Sequence, residues 1–267
     1  MNAPLTRPLQ EPMAGTQSVL RAVAMLEAFT DERPVWNASD LAGAVGLNRT
    51  TAYRLLTALE SVEYVVRDPA TDAFRLGSGL IALGGRARRA SPIRLVSQAE
   101  VEALAAGTGE TATLEVLSGR EMVIIEEIPG EYVTSGSQHI GSRWPVYATS
   151  TGKAILAHLP PAELARALPP ACAPLTERTL TGEQLRAGLD AIRRDGYAVA
   201  AEELELGFVA VGAALLDADA RPVAAISLGG TRTRLTDERL PAIGALVRAA
   251  AARISRRLGY RRELSAD

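Results

Sequence analysis

Residues 48–60 carry the side chains best suited to doing chemistry in this chain. Ala52, Leu55, Leu56 and Leu59 recur at helical spacing on one side, while Thr50, Tyr53, Arg54 and Thr57, at i, i+3, i+4 and i+7, share another. One side is expected to pack inward and the other to meet a partner. Arg49, Thr50, Thr51 and Arg54 gather at the N-terminal end. Arginine holds guanine with two hydrogen bonds, and threonine bonds a base edge or touches a thymine methyl. Backbone amides at a helix start favour phosphate. The chemistry expected is readout of duplex DNA, with Tyr53 on the same face and Arg67 and Arg75 placed to reach flanking phosphates. Taken alone, two arginines on an amphipathic helix describe an ordinary solvated face better. The order of the surrounding elements reverses that balance.

Residues 18–29 place Val19, Val23, Leu26 and Phe29 on a helical stripe that Asp31, Arg33 and Pro34 break. Ser39 can cap a short second helix holding Leu41 and Val45, ended by Gly46. Asn48 caps the third helix, which runs to about Glu60. A strand at 64–67, the turn Asp68-Pro69-Ala70-Thr71-Asp72 and a strand at 73–76 make a hairpin. Helix, glycine turn, helix and wing-like hairpin over 16–77 give a winged helix-turn-helix, which sets its recognition helix in the major groove. Residues 1–15, with Pro4, Pro8 and Pro12 and no apolar signal segment, are expected to be a disordered tail. Leu80, Ile81 and Leu83 followed by Arg86, Arg88 and Arg89 indicate a linker helix over 78–90. Ser91-Pro92 then opens a second domain, 91–262.

In that domain, strands at 111–117 and 122–128 flank the turn Ser118-Gly119-Arg120. Helices are expected at 153–159 and 181–194, strands at 197–200, 207–216 and 223–228, and a long closing helix at 236–258. Hairpins with helices at the sides argue an antiparallel α+β domain. Pairing 207–216 with 223–228 sets Ala214 against Ala225, Gly212 against Ser227 and Ala210 against Gly229. All six are small and share a face, opposite Val211, Leu215, Ile226 and Leu228. A face without bulk leaves room for a ligand or for a closely packed helix, and packing grounds alone favour neither.

Length and composition bound the rest. At 267 residues and 47% hydrophobic, the chain can bury about two domains' worth of core. The net charge of −2 means that DNA binding must come from a local patch. Cys172 is the single cysteine, so there is no intrachain disulfide, which suits a reducing cytoplasm. No apolar run approaches the ~18–20 residues of a membrane span. His139 and His158 lie far apart and make no metal motif. Ser150-Thr151-Gly152-Lys153 fails as a phosphate loop, since Tyr147 stands at the first glycine position and Ala154 follows the lysine. Lys153 is expected to snorkel or form an ion pair. Glu126-Glu127 and Glu202-Glu203 have no nucleophile or oxyanion motif beside them, so ion-pair or edge roles are expected. No cofactor and no catalytic residue is expected. An enzyme with an accessory DNA-binding head is the weaker alternative.

The ordered set of motifs resembles the IclR family of bacterial regulators over residues 16–260. It comprises Ser18-Val19-Leu20-Arg21-Ala22, Asp40-Leu41-Ala42, Gly46-Leu47-Asn48-Arg49-Thr50-Thr51-Ala52-Tyr53-Arg54-Leu55-Leu56, and Tyr64-Val65-Val66-Arg67-Asp68-Pro69 with Phe74-Arg75-Leu76-Gly77. Beyond these come Pro145-Val146-Tyr147-Ala148-Thr149-Ser150-Thr151-Gly152-Lys153-Ala154, Gly196-Tyr197-Ala198-Val199 and Ala224-Ala225-Ile226-Ser227. The chain departs from the family in having Asn48 where Pro is usual. It also has Leu228, Gly229 and Gly230 after Ser227, where the family often has Ser-x-Ser-Gly. The resemblance implies a GAF-like effector domain binding a small molecule, often an organic or aromatic acid. Ser150, Thr151, Ala210, Gly212, Ser227 and Gly229 stand at the implied effector site. It further implies a cytoplasmic repressor, or else an activator, of operator DNA. One winged unit reads too few base pairs to be selective, so a homodimer or dimer of dimers is expected, with Leu80 and Leu83 on its surface.

Overall fold

A computed structural model describes residues 16–132 and 139–261; the expected tail of residues 1–15 lies outside them. The chain divides into two compact units, 1–90 and 91–267.

In the first unit, α1 (Gln17–Glu27) buries Met25. Trp36, on β1 (Val35–Trp36), donates its indole N–H to the Ala28 carbonyl at 3.0 Å and so fixes the chain leaving α1. Helix α2 (Ala38–Ala44) is capped by Asn37, whose side chain accepts from the Asp40 amide at 2.8 Å. The expected cap, Ser39, instead lies inside the first turn, because Asn37 is the residue with extended backbone. Gly46, at φ +68, makes the left-handed turn into α3 (Arg49–Ser61). Asn48 caps α3 as expected, accepting from the Thr51 amide at 2.8 Å. β2 (Val65–Arg67) and β3 (Phe74–Leu76) form the hairpin, and β1 adds a third strand in the order β1-β3-β2. A two-residue strand shows no periodicity, so the sequence did not reveal it. Met25, Leu41, Leu56 and Phe74 are fully buried where the three helices and the hairpin meet. Each contributes about 1.5–3 kcal/mol. Helix α4 (Ser78–Arg89) starts against the α3–β2 turn: a Cβ on Gly77 would stand 2.2 Å from the Glu63 carbonyl oxygen. Its last turn carries Arg86, Arg88 and Arg89, which suit a helix C-terminus.

The second unit opens with α5 (Pro92–Thr108), a helix absent from the sequence reading; it has proline in its first turn and ends at Gly109. The strands are β4 (Thr111–Ser118), β5 (Glu121–Ile128), β6 (Arg143–Pro145), β7 (Ala198–Ala201), β8 (Phe208–Leu216) and β9 (Pro222–Thr231). They form one antiparallel sheet in the order β6-β5-β4-β9-β8-β7. The register of β8 on β9 is the expected one: Ala214 opposite Ala225, Gly212 opposite Ser227, Ala210 opposite Gly229. The bulky face, with Val211, Leu215, Ile226 and Leu228, packs on α5 and α9 (Leu240–Arg257) through Val101, Val247 and Ile254. The opposite face receives α6 (Ser150–Leu156), and α7 (Pro161–Ala167) and α8 (Gly182–Asp195) pack with it. The fold class is α+β. Among the described residues no helix is long and apolar enough to cross a membrane.

Candidate functional site

The buried face of α3 (Ala52, Leu56, Leu59) turns its N-terminal end outward from the first unit's core. Arg49, Thr50, Tyr53 and Arg54 are exposed there, and Thr51 is half-buried. Arg67 is already engaged. It pairs with Asp72, donates to the Tyr53 hydroxyl at 3.3 Å, and lies 5.7 Å and 5.8 Å from the Tyr53 and Phe74 ring centres. Tyr53 and Arg67 therefore brace the hairpin against α3. Arg75 is exposed on β3. What this end can do chemically is present two guanidinium groups and the Thr50 hydroxyl on an exposed, capped helix start, donors that suit base edges and phosphates.

The second unit holds a cleft of about 370 Å³ of empty space, its open mouth included. Ser150 and Thr151 line it from α6, and Ala210 and Ser227 from the sheet. Gly212 and Gly229 do not line it. A Cβ on Gly212 would stand 2.8 Å from the Thr151 amide, and one on Gly229 would stand 2.6 Å from the Phe208 ring. The small-residue face is thus divided. At Gly212 it admits a helix, at Gly229 a ring, and at Ala210 and Ser227 it leaves space.

Glu115, Thr113, Trp144 and Phe208 were not singled out from the sequence. Thr113 sits directly across from Ser227 on the neighbouring strand, 2.8 Å between hydroxyl oxygens. Thr113 donates to Glu115 Oε1 and Thr151 to Glu115 Oε2, each at 2.7 Å. A hydroxyl has one proton, so with Glu115 ionised it is Ser227 that donates to Thr113. Burial pushes the Glu115 carboxyl above the usual range, opposed by its bonds to Thr151 and Thr113. The Thr151 hydroxyl, placed at the implied effector site, is spent on this carboxylate. Trp144 and Phe208 supply aromatic lining, and the Trp144 indole N–H is shielded without a hydrogen-bond partner. The signal for Glu115 was its place on the Thr111-Thr113-Glu115 side of β4, a polar alternation that reads equally as a solvent face.

Two residues along α6 from Thr151, Lys153 makes a buried ion pair with Glu203, the second of the two roles expected of it. Burial lowers the lysine and raises the glutamate, and each partner offsets part of the other's shift. The Thr176 and Thr179 hydroxyls donate to the Glu202 and Glu203 carbonyls at 2.7 Å and anchor that segment. Glu126 pairs with Arg94. His158, two residues past the end of α6, has its Nδ1 3.0 Å from the Ala154 carbonyl on that helix. No cluster of His, Cys, Asp or Glu suited to a metal ion occurs among the described residues.

Comparison with known proteins gives the family. The IclR helix-turn-helix domain matches residues 18–69, and the bacterial transcriptional regulator IclR C-terminal domain matches 87–256. The transcriptional regulator XynR of Escherichia coli is 33% identical over 246 residues, covering 91% of this chain and 98% of XynR. The transcriptional repressor AllR of Klebsiella pneumoniae is 30% identical, covering 94% of each chain. An IclR homologue from Microbacterium hydrocarbonoxydans, solved with 4-hydroxybenzoate, aligns with a TM-score of 0.75 at 26% identity, over 91% of this chain and 99% of that one. The chain belongs to the IclR family and is a DNA-binding transcription regulator with an effector-binding C-terminal domain, not an enzyme.

Proposed function

We propose that this regulator represses its genes by gripping a palindromic operator as a homodimer or dimer of dimers, and that a small molecule in the C-terminal cavity alters that grip. The observation that carries the reading is the outward, capped end of α3. There Arg49, Thr50, Thr51 and Arg54 meet base edges, and Arg75 and the Tyr53–Arg67 brace meet phosphates. The name of AllR supports repression. Self-association is supported by Leu83 and its neighbour Ile81 on α4, 46% and 79% exposed, while Leu80, also expected on that surface, is half-buried. The Microbacterium complex supports the cavity as the effector site, with Ser150, Thr151, Ala210 and Ser227 on its lining. The protein acts in the cytoplasm, in keeping with its single cysteine. An effector shifts operator occupancy only as far as it binds one arrangement of the DNA heads better than the other.

Nuclease footprinting on DNA upstream of the protein's own gene tests this. Two protected half-sites are expected, about 10 base pairs or a multiple apart centre to centre. A single short protected patch contradicts the dimer, and an absent footprint contradicts the operator.

A further inference from the structure

The cavity's hydrogen-bond inventory says what kind of molecule it takes. Ser227 donates to Thr113, and Thr113 and Thr151 donate to Glu115, so these three hydroxyl protons all run toward one carboxylate. What is left for a guest on the sheet side is lone pairs, on Glu115 and on the Ser227 oxygen. Glu115 is 5% exposed, and no Lys, Arg or His is among the residues lining the space. A carboxylate withdrawn from water without a counter-charge is costly, and a bound cation removes that cost. Trp144 and Phe208 line the same space, and aromatic faces attract cations, indole most strongly.

Resting on the reading of this cavity as the effector site, we infer that it takes a small organic cation, a protonated amine or amidine whose N–H groups bond Glu115 and Ser227. Its apolar body lies against Trp144 and Phe208. An acid group set on Glu115 brings two negative charges together with no cation between them.

The test titrates four ring compounds of similar shape (benzamidinium, benzylammonium, benzyl alcohol and benzoate) into the full-length protein by calorimetry. It uses the wild type, Glu115→Gln and Ala210→Trp, the last filling the cavity. The two cations are expected to bind the wild type at least about ten-fold more tightly than benzoate, and to lose about ten-fold or more in Glu115→Gln. Ala210→Trp is expected to exclude them. Benzoate binding more tightly than both cations overturns the inference; if Ala210→Trp then excludes benzoate, the cavity stands as the effector site. Binding that survives Ala210→Trp overturns the cavity reading itself. Failure of both cations to bind also overturns the inference. Should Glu115→Gln not fold, the order of affinities in the wild type still decides.

Discussion

Glu115 and Glu203 are buried alike, at 5% and 6% exposed, and both are held by α6, the first through Thr151 and the second through Lys153. Their partners differ. Glu203 has a cation from its own chain on one oxygen, while its other oxygen is buried without a hydrogen-bond partner. Hydroxyls hold the backbone carbonyls of that segment, so its charge, though not every lone pair, is answered in the fold. Glu115 has hydroxyls only, and it borders open space. Two residues of separation along one helix therefore distinguish a carboxylate that organises the domain from one that faces a guest. A buried charge that the chain itself neutralises is structural; one left without a counter-charge beside open space is where recognition belongs.

The largest expected effect comes from breaking the answered charge. Lys153→Met leaves Glu203 buried without its cation and is expected to cost about 3–5 kcal/mol, read as a lowered urea midpoint of the second unit. A loss below about 1 kcal/mol means that Glu203 finds water or another partner, and the contrast with Glu115 fails. Thr151→Val, which removes one of the two hydroxyls on Glu115, is expected to cost less, about 1–3 kcal/mol in the same measurement. A larger loss than for Lys153→Met inverts the comparison.

The smallest effect is one of pH. Burial raises the Glu115 carboxyl, so the folded protein keeps a proton that the unfolded chain releases. The stability from that proton is complete below the unfolded value, about 4.3, and is lost as pH rises through the folded value. Glu115→Gln has no such proton to lose. Its stability relative to the wild type is expected to rise across that window, by about 1.4 kcal/mol for each unit of elevation. Glu203 is unchanged in both proteins and drops out of the difference. A flat difference curve shows that Glu115 is solvated.

The first unit was the more legible in sequence, because its signals are local. Asn48, Gly46 and the apolar stripe of α3 fix a helix within a dozen residues, and the hairpin announces itself by its turn. In the second unit the pairing of Ala210, Gly212 and Ala214 with β9 was also readable, since one short turn sets that register. Helix α5 escaped because its buried positions, Val101, Leu104 and Ala105, are spaced among small and polar residues that give only a weak stripe. Glu115 escaped for a different reason. Its meaning depends on Ser227, more than a hundred residues away, and on α6 covering that face of the sheet. Which side of an alternating strand faces solvent is a tertiary fact.

Both carboxylates bear on gene control only through the first unit's grip on duplex DNA. The most direct measurement is a fluorescence-anisotropy titration of a labelled duplex from upstream of the protein's own gene, at low and moderate salt. It compares the wild type with the Arg49→Ala, Arg54→Ala double variant. Wild-type affinity is expected to fall steeply with salt, and the variant to lose about 1–3 kcal/mol for each base contact removed. Equal affinities at both salts contradict the reading of the α3 end as the part that enters the groove.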